Sequence, residues 1–368
     1  MVRAERFWNR VTEGKKVDQL WSQFQADARS SYQLYSQDVD ATRAEGVSQF
    51  KHVLRLLGQF FWAVLEKLTP ARRVLLLIAL VLVVLPGEWQ TGQGKGSEFD
   101  FHFYGGLLMF GLLILEVADR VVMKRDLQIA KEIQAWLLPA APPPVPGLDI
   151  AFATRPANTV AGDYYDIFAR PVQDAAKPTF LFAVADVAGK SIPAALLMAT
   201  FQASLKTLSS TPSPLTELLA RMNQYACGNS QNGRRFITAF LGEFDPAARS
   251  LTYINAGHNP PILRRQSGAI ERLQTGGVPL GILAEAAYDS STVWLEDGDW
   301  LVIFTDGVVE AENQRAAEYG EPRLFATVNA GVNLTAAQLL GSLMADLDRF
   351  VGNAPQHDDI TCMLLRVL

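Results

Sequence analysis

The chain has 368 residues, of which 49% are hydrophobic, and its formal net charge is −5. That length allows two or three folded units, and the acidic balance argues against a general nucleic-acid binder. The two cysteines, Cys227 and Cys362, share no close spacing, so the sequence predicts neither a disulfide framework nor a zinc site. We expect both cysteines to serve packing.

Residues 1–70 are polar, with aromatic side chains at spacings that suit amphipathic helices. They are expected to form a helical region on the cytoplasmic side. An aromatic and apolar run at 60–65 fits a membrane interface and fits a small soluble helical unit about equally well.

Two apolar stretches follow, at 74–85 and 99–118. Basic residues precede the first stretch and follow the second, and the connection between them carries more acid than base. The positive-inside tendency therefore predicts a two-helix transmembrane hairpin over 71–120 with both ends in the cytoplasm. The first stretch is short for a span, and the alternative is a pair of buried helices in a soluble domain.

The second apolar stretch is expected to continue into an amphipathic linker helix. Val122, Ile129, Ile133 and Trp136 follow an imperfect coiled-coil pattern, which predicts a homodimer through this helix. The helix should end at Pro139, and residues 121–147 are expected to form the linker helix and a stiff Pro-rich linker.

Residues 148–368 alternate short apolar runs with turn signals and a few helical stretches. Expected strands include 148–156, 179–187, 237–245, 250–257, 299–306 and 360–368, and expected helices cover 194–209, 214–227 and 335–351. A tight turn at 245–249 makes two of these strands antiparallel neighbours. Since strands mostly follow strands, this is an α+β domain with antiparallel sheets and outer helices.

Carboxylates lie at the ends of these strands. They are Asp163 and Asp166 in AGDYYDIF, Asp186 in ADVAGK, Asp306 in FTDG, and Asp358 and Asp359 in HDDIT. Bare carboxylates gathered in one place raise one another's pKa, and divalent cations relieve the repulsion. All-oxygen ligands favour Mg²⁺ or Mn²⁺, and two such ions can activate a water for attack on phosphorus.

Several motifs carry a family resemblance. They are RPANTVAGDYYDIF, FAVADVAGKSIPAALLMA, LTYINAGHNPPIL, GVPLGI, IFTDGVVEAEN and HDDIT. In this order and spacing, over nearly all of 148–368, they resemble the SpoIIE/RsbU-like bacterial branch of the metal-dependent serine/threonine phosphatases of the protein phosphatase 2C superfamily. The resemblance implies two packed antiparallel β-sheets flanked by helices.

The resemblance also implies roles for individual residues. Asp186 would bridge two divalent cations, Mn²⁺ or Mg²⁺, with the Val187 carbonyl on one of them. Asp306 and Asp358 would complete the other, and Asp163 would act through a metal-bound water. Supporting or substrate-contacting roles fall to Asp166, Asp359, Arg155 and Gly189.

The expected function is a membrane-anchored phosphatase that removes phosphate from phosphoserine or phosphothreonine on a signalling partner. By resemblance, that partner would be an anti-sigma-factor antagonist. The expected location is the inner membrane, as a multi-pass protein with its catalytic domain in the cytoplasm. The alternative is a non-catalytic membrane signalling or scaffold protein with a phosphatase-like partner-binding domain. His258 and Asn259 are expected to form a turn.

Overall fold

The structure, a computed structural model, describes residues 58–59, 61–63, 65–85, 88–89, 99–171, 179–230 and 233–368. The helical region predicted for the first 57 residues therefore lies outside the described residues. So does most of the connection between the two apolar stretches. The chain divides into two compact units, Met1–Val122 and Met123–Leu368.

In the described part of the first unit two long helices lie antiparallel, the second of which runs on past Val122, and residues 58–59, 61–63 and 65–67 are helical as well. Helix α1 spans Pro70–Val84, the short strands β1 Glu88–Trp89 and β2 Phe99–Asp100 pair antiparallel, and helix α2 spans Phe101–Leu137. Proline at the start of α1 suits a helix N-terminus, where its missing N–H is not needed. The helices approach closely at Gly105, because a Cβ there would lie 2.8 Å from Val83 Cγ2. At the other end of the pair, Arg72 Nη1 lies 2.6 Å from Asp119 Oδ2.

The predicted transmembrane hairpin and multi-pass inner-membrane location are wrong. Among the described residues, no helix combines the length and the apolar character that crossing a membrane requires. Helix α1 has 15 residues, which at ~1.5 Å per residue reach only about 22 Å, short of a hydrocarbon core of about 30 Å. In α2 the apolar run ends at Glu116, and Asp119 and Arg120 follow.

The second unit holds most of the strands and the remaining helices. In chain order, the strands are β3 Leu148–Arg155, β4 Tyr164–Arg170, β5 Thr179–Val187, β6 Ile237–Asp245, β7 Ser250–Ala256, β8 Ile262–Arg264, β9 Ile270–Arg272, β10 Gly276–Gly277, β11 Ser291–Trp294, β12 Trp300–Phe304 and β13 Ile360–Val367. The helices are α3 Ser191–Ser209, α4 Leu215–Gly228, α5 Asp306–Val309, α6 Gly320–Ala330 and α7 Ala336–Val351.

These strands form two sheets. The first has the order β10-β7-β6-β5-β4, with β11 also paired to β7, and the second has the order β3-β13-β12-β8-β9. All pairings are antiparallel except the short contact between β10 and β7. The β6–β7 turn is the tight turn predicted at 245–249, where Asp245 accepts bonds from the amides of Ala247 and Ala248.

The sheets pack face to face with helices outside. Phe182 and Val184 of β5 share one core with Ile303 of β12 and Met363 of β13. Alternate residues of β5, such as Ala183, pack instead against α3 and α4, and the other face of the second sheet packs against α6 and α7. Burial on both faces explains why the strands read as nearly continuous apolar runs. The predicted α+β class with two packed sheets and flanking helices is confirmed.

Candidate active site

Strand ends from both sheets converge at one end of the sandwich. In the second sheet Phe304 pairs with Cys362 and Arg155 pairs with Ile360, so the loops that carry Asp306 and Asp358 adjoin there. In the first sheet Asp186 is the penultimate residue of β5. The two sheets therefore present carboxylates toward each other at this end.

The loop before β4 brings Asp163 into the same place. Its Gly162 lies against the end of β5, since a Cβ at this glycine would be 3.1 Å from the Val187 carbonyl oxygen and 3.8 Å from Asp186 Oδ1. Asp359 fixes this loop, because its carboxylate accepts hydrogen bonds from the amides of Ala157 (2.7 Å) and Gly162 (2.6 Å). Both Asp359 oxygens are therefore engaged with backbone amides.

Asp163 is the most buried of these carboxylates, with 1% of its surface exposed. Its Oδ2 accepts a hydrogen bond from the Thr305 hydroxyl at 3.0 Å, whereas its Oδ1 is buried without a donor. Burial, and next the charge of Asp186, raise the pKa of Asp163 well above its ordinary value. The neighbouring Asp163 side chain acts on Asp186 in the opposite direction, because a hydrogen bond between them lowers the pKa of Asp186.

Asp186 titrates near neutrality. Burial, followed by the charges of Asp306 and Asp358, raises its pKa to about 7. Burial and Asp358 also raise the pKa of Asp306. These shifts mean that the side chains nearby do not supply enough positive charge to ionise the whole group at neutral pH.

One cation does lie beside the group. Lys190, at the start of α3, places its Nζ 3.1 Å from Asp358 Oδ2 and 2.5 Å from the His357 carbonyl oxygen. Its charge lowers the pKa of Asp306, in opposition to burial. With about half of its side chain exposed, however, Lys190 is largely screened by solvent.

The donor set suits a hard divalent cation. It consists of carboxylate oxygens, it repels itself, and it includes the buried Asp163 Oδ1 that has no donor. Within the described ranges, no set of three or more His, Cys, Asp or Glu side chains is already drawn together as a closed ligand shell. The arrangement is therefore an open cluster that a cation would neutralise.

A cavity of about 220 Å³ opens beside this cluster. Its lining includes Arg155, Lys190, Glu310, Glu318 and Asp358. Arg155 forms a salt bridge with Asp348, in which Arg155 Nη1 lies 2.5 Å from Asp348 Oδ1. Both cations of this lining are thus ion-paired, Arg155 with Asp348 and Lys190 with Asp358.

Two other predicted site residues lie apart from the carboxylate cluster. The Asp166 carboxylate pairs with Lys206 Nζ of α3 at 2.7 Å and accepts a bond from the Tyr164 hydroxyl at 2.8 Å. Its contacts are thus on the α3 side of the first sheet. Gly189 has φ +119°, a conformation that favours glycine, in the break between β5 and α3.

Some contacts of the site were missed by sequence reasoning. Thr305 and Lys190 each neighbour a motif residue, and that adjacency is the signal that could have found them. Gln134 of α2 exchanges hydrogen bonds with both the carbonyl (2.8 Å) and the amide (2.9 Å) of Ala161, two residues before Asp163. No local pattern marks Gln134, because its partner lies 27 residues away.

Comparison with known proteins places these features in a family. The family model described as Stage II sporulation protein E (SpoIIE) matches residues 177–368. The phosphoserine phosphatase RsbU of Bacillus subtilis (strain 168) is 30% identical over 245 residues, which cover 66% of this chain and 70% of RsbU. Protein IcfG of a Synechocystis strain is 26% identical over 276 residues, which cover 68% of this chain and 42% of IcfG.

A solved structure has the same fold. The SiaA-PP2C domain of Pseudomonas aeruginosa aligns with a TM-score of 0.57 at 20% sequence identity, covering 68% of this chain and 99% of that domain. These matches confirm the family resemblance read from the motifs. This chain spans less than half of IcfG, so its own substrate and partners do not follow from the matches.

Proposed function

Because the chain belongs to the SpoIIE family, we propose that it is a metal-dependent protein serine/threonine phosphatase acting on a phosphorylated signalling protein. The observation that carries this proposal is the uncompensated carboxylate cluster beside an open cavity. The raised pKa values of Asp163, Asp186 and Asp306 support it, because a structural cluster would be expected to contain its own counter-charges.

The cofactor of this proposal is a pair of divalent cations, Mn²⁺ or Mg²⁺. Asp186 would contact both, the Val187 carbonyl would serve one, and Asp306 and Asp358 would serve the other. Asp163 would contribute through water. When bound, such a pair lowers the pKa of a water molecule and offsets charge on the phosphoryl oxygens.

The chain's own residues would prepare this chemistry in two ways. Asp186, whose pKa is raised to about 7, would give up the proton that it holds part of the time near neutral pH, and this makes its oxygens available as ligands. Lys190 would hold the phosphate dianion at the mouth of the cavity, since its Nζ already faces Asp358 there. Arg155 could contact the phosphate only while it also remains paired with Asp348.

Hydrolysis of a simple ester tests the proposal. The 368-residue chain should release phosphate from p-nitrophenyl phosphate and from a phosphoserine peptide in Mn²⁺, and lose that activity in EDTA. An Asp346→Asn variant, altered at a residue that does not line the cavity, serves as the matched control and should remain active. Activity that resists EDTA would exclude the metal-dependent mechanism.

The partner is proposed from the family. RsbU bears the name of a phosphoserine phosphatase, and the motif resemblance points to an anti-sigma-factor antagonist as the substrate. A screen of phosphorylated candidate proteins with the active chain would identify it. Preferential hydrolysis of an unrelated phosphoprotein would reject the antagonist.

A homodimer through α2 is part of the same proposal. Ile129, Ile133 and Trp136 all lie exposed on this helix. Apolar side chains at coiled-coil spacing are buried when two such helices pair. Sedimentation of the wild type against a Trp136→Glu variant would test this, with the variant expected to be the lighter species and equal masses arguing against pairing.

A further inference from the structure

One buried histidine has no part in the proposed function. His258 lies just beyond β7 with 6% of its surface exposed, and burial lowers the pKa of its imidazole to about 4. The side chain is therefore neutral at physiological pH. Neutral imidazole has one N–H donor and one acceptor nitrogen.

The imidazole is not needed to form the turn in which it lies. The backbone amide of His258 donates to Asn255 Oδ1 at 2.7 Å, and that bond closes the turn. Gly257 adopts φ +68° and packs so tightly that a Cβ there would lie 2.5 Å from Pro279 Cγ. Asn255 and Gly257 thus account for the turn, so turn formation does not explain why an imidazole is buried at position 258.

The ring contacts the strand that pairs with the Asp186 strand. Its Nδ1 is 3.1 Å from the Thr238 hydroxyl oxygen, and Thr238 is the cross-strand partner of Asp186. Directly opposed residues of antiparallel strands project on the same face, within reach of each other. From the second sheet, the Phe304 carbonyl raises the pKa of the ring in opposition to burial, while Nε2 itself is buried without a hydrogen-bond partner.

The contacts suggest one tautomer. Nε2 is the nitrogen that Thr238 leaves without a partner, and a carbonyl can only accept, so the Phe304 carbonyl favours the tautomer that carries its proton on Nε2. Nδ1 is then the acceptor, and the Thr238 hydroxyl donates to it. In this arrangement Thr238 cannot give the same proton to Asp186.

We propose that His258 is a positioning residue that keeps the Thr238 hydroxyl away from Asp186, so that the Asp186 oxygens stay free for a divalent cation. This inference rests on the proposed function. Without the imidazole, Thr238 would turn to Asp186 and compete with the cation for its lone pairs. A second substitution that deletes the hydroxyl should then restore cation binding.

Titration calorimetry with Mn²⁺ on the 368-residue chain tests this directly. His258→Leu should weaken binding about tenfold, in the range typical of groups that orient a metal ligand. The double variant His258→Leu/Thr238→Val should bind within about threefold of wild type by the same standard. Restoration would support the proposal, because a purely structural loss at His258 would not be repaired by replacing the Thr238 hydroxyl with a methyl group. A double variant as weak as His258→Leu, or a His258→Leu variant that binds like wild type, would overturn it.

Two further measurements keep the proposal falsifiable. If His258→Leu does not fold, His258→Asn provides an acceptor near the Nδ1 position and should bind Mn²⁺ like wild type. Tenfold weaker binding by a folded His258→Asn variant would contradict the proposal. In cation-free protein, nitrogen NMR should show His258 as the Nε2–H tautomer, and the Nδ1–H tautomer would overturn this inference. Because this measurement does not depend on catalysis, its outcome is independent of whether the proposed phosphatase activity is found.

Discussion

Two aspartates of this chain, Asp186 and Asp346, show how differently the same side chain is treated at a functional site and in a supporting element. Asp346 in α7 lies 2.7 Å from Arg323 Nε, 2.9 Å from Arg349 Nη1 and 2.9 Å from the Tyr319 hydroxyl. Hydrogen bonding to Arg323 is the largest cause that lowers the pKa of Asp346 to about 2.

Asp186 has the opposite surroundings. Burial and the neighbouring carboxylates raise its pKa to about 7, and Lys190 is half exposed beside Asp358. The contrast shows that this fold places arginines beside an aspartate, Asp346, that contributes to its stability. At the carboxylate cluster the fold supplies too little positive charge, so a bound cation would have to neutralise the aspartates.

The largest expected effect comes from Asp186→Asn. Loss of the shared carboxylate should lower Mn²⁺-dependent hydrolysis by about 10³-fold or more, equivalent to about 4 kcal/mol of transition-state stabilisation. The same change removes repulsion, so the cation-free variant should melt at a higher temperature than wild type at pH 8. An active variant, or one that is less stable without cations, would remove the distinction between the two aspartates.

Stability without cations should fall as pH rises. The folded-state pKa of Asp186 lies above its unfolded value, so its contribution is complete below about pH 4 and is lost as pH rises through about 7. The loss can reach about 4 kcal/mol, because each pKa unit corresponds to about 1.4 kcal/mol. Urea unfolding in EDTA at pH 5 and pH 8 measures the part of this loss that falls between those pH values, about 3 kcal/mol, with Asp186→Asn as the control that should show a smaller difference. Greater stability at pH 8 would contradict the account.

The contribution of Asp346 to the free energy of unfolding should depend on pH in the opposite direction and be smaller, and Asp346→Asn should remove it. The pKa of Asp346 is lowered in the folded state, so its contribution is present above about pH 4 and is lost as pH falls through about 2. Because solvent screens this ion-pair group, the variant should lose about 1 kcal/mol of unfolding free energy at pH 7. Hydrolysis by the variant should be unchanged when followed under the same conditions, and a large loss of activity would show that the two regions are coupled.

The smallest expected effect is that of Lys190→Gln. Removing an exposed ammonium beside Asp358 should change binding by less than about 1 kcal/mol. The KM for a phosphate ester should rise a few fold, while the Mn²⁺ concentration for half-maximal activity should fall slightly, because a competing positive charge is gone. A collapse of kcat with an unchanged KM would instead assign Lys190 to the chemical step.

Much of the fold could be predicted from the sequence because burial leaves a strong mark on it. The strands around Asp186 and Asp306 are apolar runs that end at a carboxylate and a glycine, and the turn after Asp245 has residues suited to a tight reversal. Strand β4 was harder to see, because Asp166 interrupts its apolar pattern. Helix α6 begins with Gly-Glu-Pro and has only a weak apolar face.

The site was predictable in its chemistry and less so in its contacts. Residue types and motif order led to Asp163, Asp186, Asp306 and Asp358, and the structure brings their loops to one end of the sandwich. The partnership of Asp166 with Lys206 joins residues on a strand and a distant helix turn, which no local pattern encodes. The apolar stretch at 74–85 misled for a related reason, since hydropathy alone does not fix where a helix starts and ends.

The most direct test of the central claim is a count of the protons released when Mn²⁺ binds at pH 7. Calorimetric titrations in buffers with different ionisation enthalpies give that number. Since the pKa of Asp186 is raised to about 7 and that of Asp163 is raised as well, the wild-type chain should release about half a proton or more on binding, and Asp346→Asn should match it. Binding without proton release, or no Mn²⁺ binding at all, would contradict the view that a bound cation neutralises this carboxylate cluster.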